Sequence, residues 1–266
     1  MFSVKDILSL ESLRGLPDNA SASGLVLMKE YKKKVTKNGG YFLDGIAEGL
    51  GSYPFKVWGS SDAFNSMEES DYTGCIVYVE GKSNKFGGVD SLIISSVRAV
   101  DESGCGLSKK DFFYSRYNGK EYYKGLRNTL LQMTNSDILE VFDILMKGRE
   151  ERFYEEFAAK GNHDNCRSGL VAHTYKVLYI SKVLKLYPNL QKFVGNYNLL
   201  YLGAAIHDIG KIVEYTDGTI QGIGRLCSHH TFGVEMLFEN KSAIVGKFGE
   251  EFFYRLCSIV EQHHGE

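Results

Sequence analysis

Between about Ser23 and Val100, apolar and polar residues alternate in short runs, each bounded by glycine or asparagine. A period of two with frequent turn residues is the pattern of strands that bury one face. Five runs fit it: Gly24 to Tyr31, Gly40 to Ala47, Ser52 to Trp58, Thr73 to Glu80 and Val89 to Val97. Turn signals lie at Lys37-Asn38-Gly39-Gly40 and Asn84-Lys85-Phe86-Gly87-Gly88. Five short strands predict a small β-barrel. Past about Ser108, apolar residues recur three and four apart and glycines thin to isolated stops, which predicts helices. Asn135-Ser136 caps a helix running toward Ala159, with Ile138, Leu139, Phe142 and Leu145 on one face and Lys147, Arg149 and Glu150 on the other. Further helices are expected near Ser168 to Leu186, Asn196 to Asp208, Leu226 to Glu239 and Gly249 to His264. The expected fold is α+β in two domains, a five-stranded barrel over residues 1–107 and an all-α bundle over 108–266.

Composition supports a folded, two-domain chain. The 266 residues exceed a usual single domain, 43% are hydrophobic, and only three prolines are present, which argues against long linkers. The net charge of -2 gives no global pull toward a polyanion, so any nucleic acid must meet a local patch. Five cysteines, widely spaced and without a C-x-x-C pair, read as reduced thiols. Charges interrupt the first residues where a secretory signal needs an apolar run, and no stretch approaches ~18 apolar residues. The expectation is a cytoplasmic protein without a membrane partner.

All seven histidines lie at or beyond residue 163. Singly, a histidine among apolar helix residues is usually a hydrogen-bonded core side chain. Here, however, His173 sits mid-helix in Leu170-Val-Ala-His-Thr, and His207-Asp208 close the apolar run from Leu199 to Ile206 before Gly210. Burying an imidazole and a carboxylate side by side is costly unless a cation compensates both. Neutral imidazoles with a carboxylate form a borderline donor set for a divalent metal. His229, with His263 and His264, could add a second cation, and Asp208 is then the natural bridge. Manganese is the expected ion, with iron, zinc, cobalt and magnesium as alternatives. Lys211 reads equally as a contact to a non-reacting phosphate oxygen or as a helix-end cation.

The run Ala204-Ala-Ile-His207-Asp208-Ile-Gly-Lys211, preceded by Gly169-Leu-Val-Ala-His173, resembles the HD-domain phosphohydrolase superfamily. Asn162-His163, Tyr187-Pro-Asn-Leu, Ser228-His229 with Gly233-Val-Glu-Met236, and Gln262-His263-His264-Gly265 follow in the order of bacterial YhaM-type 3'-5' exoribonucleases. The resemblance implies an N-terminal OB-fold joined to an HD domain. It makes His173, His207 and Asp208 primary metal ligands, with His229, His263 and His264 completing a second position. His229 fits that motif better than His230, and His163 matches a substrate-side histidine, although Asp164 follows it where the family often has a second histidine. The superfamily's closing aspartate falls past the end of this sequence, so Glu266, a water or a partner subunit in a homo-oligomer would supply that oxygen, or the chain is a shortened form with a weaker metal site.

A barrel that holds single-stranded nucleic acid needs a positive groove and aromatic faces. Lys29, Lys32, Lys33, Lys34 and Lys37 cluster along the first strand and its turn, and Tyr41, Phe42, Phe55, Trp58 and Phe86 lie on or beside strands. Of these, Lys32, Lys33, Lys34, Phe55 and Trp58 are the chosen contacts. The expected activity is metal-dependent 3'-5' hydrolysis of single-stranded RNA, with DNA as a second polymer. The rivals are a nucleotide phosphohydrolase or cyclic-nucleotide phosphodiesterase with the same metal centre, and a non-catalytic nucleic-acid-binding protein.

Overall fold

The computed structural model describes residues 2–159, 164–192, 194–216, 218–220 and 222–265. It divides into two compact units, Met1–Tyr114 and Ser115–Glu266.

In the first unit a short helix α1 (Leu10–Gly15) precedes strands β1 (Ser21–Val35), β2 (Tyr41–Glu48), β3 (Ser52–Trp58), β4 (Ile76–Phe86) and β5 (Val89–Ala99). They close a barrel in the order β1-β2-β3-β5-β4. Every pairing is antiparallel except β3 with β5. That is the five-stranded barrel expected of an OB-fold. A register shift between Met28 and Glu30 bends β1, so that one long strand pairs with β4 in its first half and β2 in its second. Helix α2 (Asp62–Glu69) lies between β3 and β4 and buries Ala63, Phe64 and Met67; Ser61 caps it by accepting from the Phe64 N–H at 3.3 Å. A final short helix, α3, spans Glu102–Cys105. The segment from Ser108 to Tyr114 belongs to this unit: Leu50 N–H donates to the Phe112 carbonyl at 2.6 Å, and the Phe112 ring is buried.

The inward parity of β3 corrects one sequence expectation. Tyr53, Phe55 and Val57 share the core face, and Phe55 is 0% exposed, so its ring cannot stack on a base. Trp58 has the opposite parity, is 40% exposed, and lies 5.4 Å from the Phe42 ring. Lys32 and Lys33 are exposed on β1. Lys33 pairs with Glu68 and sits 4.6 Å over the Tyr41 ring, while Lys34 pairs with Asp44. Tyr41, Trp58 and Phe64 line a surface groove of about 470 Å³.

The second unit is helical: α4 (Gly119–Met133), α5 (Ser136–Met146), α6 (Glu150–Glu155), α7 (Gly169–Leu184), α8 (Pro188–Gln191), α9 (Tyr197–Ile206), α10 (Lys211–Glu214), α11 (His229–Glu239) and α12 (Lys241–Gln262). A two-stranded hairpin pairs β6 (Tyr215–Thr216) with β7 (Thr219–Ile220). Asparagines start three of the helices: Asn118, Asn135 and Asn196 accept from the N–H groups of Glu121, Ile138 and Leu199. The single helix expected from Ser136 toward Ala159 is broken, because Gly148 adopts φ +74 and turns the chain between α5 and α6. A continuous core runs from Leu126 and Leu130 on α4, through Phe142 and Leu170, to Ile206, Met236 and Phe253. Among the described residues no helix is long and apolar enough to cross a membrane.

Because Phe55 fills the barrel interior, Phe55→Ala should lower stability by ~3–5 kcal/mol through the cavity it leaves. Denaturant unfolding monitored by circular dichroism reads this, and a change below about 1 kcal/mol would contradict the placement.

Candidate metal centre

Four helical segments bring their chemistry to one place. His173 comes from the second turn of α7, His207-Asp208 from the end of α9, His229 from the start of α11, and His263 from the residue after α12. The approach of α11 depends on Gly210, where a Cβ would stand 1.9 Å from the His229 carbonyl and 2.6 Å from the Gly233 nitrogen. Only a residue without a side chain lets that helix start come so near the His-Asp turn.

Three of the imidazoles are held by a hydrogen bond of Nδ1. His207 Nδ1 meets the Ala204 carbonyl at 2.9 Å and His263 Nδ1 meets the Val260 carbonyl at 2.9 Å. A carbonyl only accepts, so these Nδ1 atoms carry the proton and each Nε2 presents a lone pair. His229 Nδ1 lies 2.8 Å from Glu214 Oε2, and His173 Nδ1 lies 3.8 Å from Asp164 Oδ2. Asp164 is fixed in turn by the Tyr117 hydroxyl and the Lys176 ammonium, each donating to its Oδ1 at 2.6 Å. These are the outer partners that orient metal-ligating histidines elsewhere.

The four Nε2 atoms converge on Asp208, which is 2% exposed. His207 and His173 approach its Oδ2 at 3.3 and 3.5 Å; His229 and His263 approach its Oδ1 at 3.4 Å each. The His173 and His207 Nε2 atoms are themselves 3.3 Å apart. Asp208 Oδ1, His229 Nε2 and His263 Nε2 are buried without a hydrogen-bond partner. Buried polar atoms left unpaired are rare and costly, and here they are a carboxylate oxygen and imidazole nitrogens aimed at one another. A divalent cation between them would satisfy all three, so the residues fit such an ion at Oδ1, and His173, His207 and Asp208 group as a second possible ligand set.

Electrostatics agree. Burial opposes ionisation of Asp208, yet contacts with His207 and His263 and the charge of Lys211 outweigh it and hold the carboxyl well below its usual range. Burial pushes His229 down to about 3, so it stays neutral and able to ligate. Burial, reinforced by neighbouring His263, also lowers His230 and His264.

The sequence-predicted residues His173, His207, Asp208, His229 and His263 therefore meet, and the His264 ring joins them 4.4 Å from that of His263. Lys211 is buried and donates to Asp208 Oδ2 at 2.8 Å and to the Ala158 carbonyl at 2.7 Å, so one of its three N–H donors holds the carboxylate while a second anchors the ammonium to the backbone. His163 and Glu266 lie outside the described residues. Sequence reading passed over Glu214 and Asp164, whose roles arise from long-range contacts. It also passed over His230, whose ring lies 4.2 Å from that of His229. The paired histidines at the start of α11 were the available signal.

A barrel followed by a helical bundle with a central His-Asp dyad defines an HD-domain protein, and the HD domain family matches residues 170–266. The 3'-5' exoribonuclease YhaM of Oceanobacillus iheyensis is 32% identical over 253 residues, covering 91% of this chain and 75% of the relative. YhaM of Bacillus subtilis is 28% identical over 249 residues, with 91% and 75% covered. Among solved structures, the mitochondrial single-stranded DNA binding protein Rim1 of S. cerevisiae overlays 32% of this chain and 97% of its own, at 18% identity and a TM-score of 0.29. The chain belongs to the YhaM family of 3'-5' exoribonucleases.

Because the folded His229 resists protonation while the unfolded residue titrates near 6.5, acid favours unfolding. The lowered Asp208 acts in the same direction at still lower pH. The melting temperature of the metal-free chain should fall steadily as pH drops from about 6.5 toward 3, as read by differential scanning calorimetry. A flat profile across that window would contradict the buried neutral imidazole.

Proposed function

We propose that this chain is a metal-dependent exoribonuclease that removes nucleotides from the 3' end of single-stranded RNA and accepts single-stranded DNA as a second polymer. The observation that carries the reading is the Asp208 carboxylate, with one oxygen facing His173 and His207 and the other facing His229 and His263. His173, His207, His229, His263 and Asp208 would hold divalent metal, two ions with manganese foremost, which when bound would supply Lewis acidity to activate water and positive charge to balance a phosphodiester.

The chain's own residues prepare that position. Lys211 fixes the rotation of the Asp208 carboxylate, so both oxygens stay directed at the two imidazole pairs. With its ammonium buried, Lys211 is better placed for this positioning role than for a phosphate contact. Glu214 and the carbonyls of Ala204 and Val260 keep the Nε2 lone pairs turned inward. His163 retains, on the family resemblance, a substrate-side role.

The barrel unit, as the nucleic-acid-binding domain, supplies the hold on the strand, and the helical unit from Ser115 onward forms the hydrolytic domain. Lys32, Lys33 and Lys34 offer charge along β1, and Trp58 offers an exposed ring for a base. Curated relatives over nine-tenths of the chain are named 3'-5' exoribonucleases, which supports the polymer substrate over a mononucleotide.

End-labelled single-stranded RNA, single-stranded DNA and nucleoside triphosphates, each given with manganese, test the reading together. The expected outcome is a ladder shortening from the 3' end that Asp208→Ala abolishes while the fold survives. Phosphate released only from mononucleotides, or binding without turnover, would contradict it. In a separate binding measurement Trp58→Ala should weaken single-stranded RNA by ~1–3 kcal/mol. Unchanged affinity would remove the ring from the interface.

A further inference from the structure

Beyond the ligands that the family pattern implies, one side chain at the centre remains without a task. His230 follows His229 at the start of α11, is half-buried, and has an Nε2 that is shielded from solvent and hydrogen-bonded to nothing. Its ring lies 4.7 Å from that of His263 and 4.8 Å from that of His264. One ring nitrogen from each of His229, His230, His263 and His264 lies within 4.8 Å of the other three. A core histidine kept for packing would bond a carbonyl or hydroxyl through that nitrogen, as His207 and His263 do through Nδ1. Among the described residues nothing of that kind bonds His230 Nε2; the rings around it are other imidazoles, and the Glu261 carboxylate bears on it only as a charge, so a cation among the ring nitrogens would satisfy it.

We propose that His230 is a metal ligand, making the second cation position a pocket of four imidazoles. The proposal rests on the metal-dependent reading of Asp208 and adds a residue to it. Nitrogen donors suit zinc, iron and cobalt, whereas magnesium prefers oxygen ligands and keeps its waters. The two sides of Asp208 are thus unequal. The His173–His207 side has two imidazoles and a carboxylate oxygen, whereas on the other side His229 and His263 face the second oxygen and His230 and His264 group with them.

Titration of the metal-free full chain with cobalt(II), followed by visible absorption and calorimetry, separates the outcomes. Wild type is expected to bind two equivalents. His230→Asn should hold one equivalent as wild type does and bind the other at least about tenfold more weakly, since loss of even an outer partner of a ligand costs ~10–100-fold. His173→Asn should weaken the opposite equivalent. His230→Cys should gain a thiolate-to-cobalt charge-transfer band that wild type lacks, which direct ligation produces and a packing role does not. Two equivalents bound by wild type, with unchanged affinity and spectrum in His230→Asn and no new band in His230→Cys, would overturn the proposal and leave the metal reading standing. Failure of wild type to bind cobalt would overturn both.

Discussion

A buried carboxylate ringed by imidazole lone pairs is the constraint around which the helical unit is organised. Asp208 is ionised, almost inaccessible to water, and faced on each oxygen by nitrogen atoms 3.3–3.5 Å away. The Lys211 ammonium reaches only Oδ2, and with the contacts of His207 and His263 it keeps the carboxyl ionised against the cost of burial. The other oxygen has no hydrogen-bond partner among the described residues, and each such orphan costs ~1–3 kcal/mol. A divalent cation held there would satisfy these atoms, so the arrangement that is costly to the metal-free chain is the one that fits a metal.

The surrounding fold holds that arrangement against its own strain. Ala204 and Val260 anchor imidazoles through carbonyls three residues upstream, which fixes His207 and His263 by local helix geometry alone. Glu214 does the same for His229 through a tertiary contact, and Asp164, immobilised by Tyr117 and Lys176, places its charge 3.8 Å from His173 Nδ1. Gly210 removes the one side chain that would keep α11 away. Ordering the histidines before any ion arrives means that binding energy is not consumed in gathering them.

Much of this was legible in the residue pattern, for identifiable reasons. The five strands show because glycine-rich turns punctuate a period of two, and the His-Asp dyad shows because a charged pair interrupts an apolar helix. Phe55 was misplaced because alternation locates a strand without fixing which parity faces inward, and a one-residue slip exchanges the faces. Helix α2 is too short and polar for its period to stand out, and the break at Gly148 reflects a backbone angle that spacing does not record. Glu214, Asp164 and His230 owe their roles to neighbours far away in the chain, such as the 15 residues separating Glu214 from His229. Only folding discloses those.

The central claim is the proposed pair of metal positions, which Asp208 would connect. Electron paramagnetic resonance of the manganese-loaded chain tests it most directly. An exchange-coupled dinuclear spectrum that Asp208→Ala converts to uncoupled manganese is the predicted result. A mononuclear spectrum in the wild type at saturating manganese would contradict it.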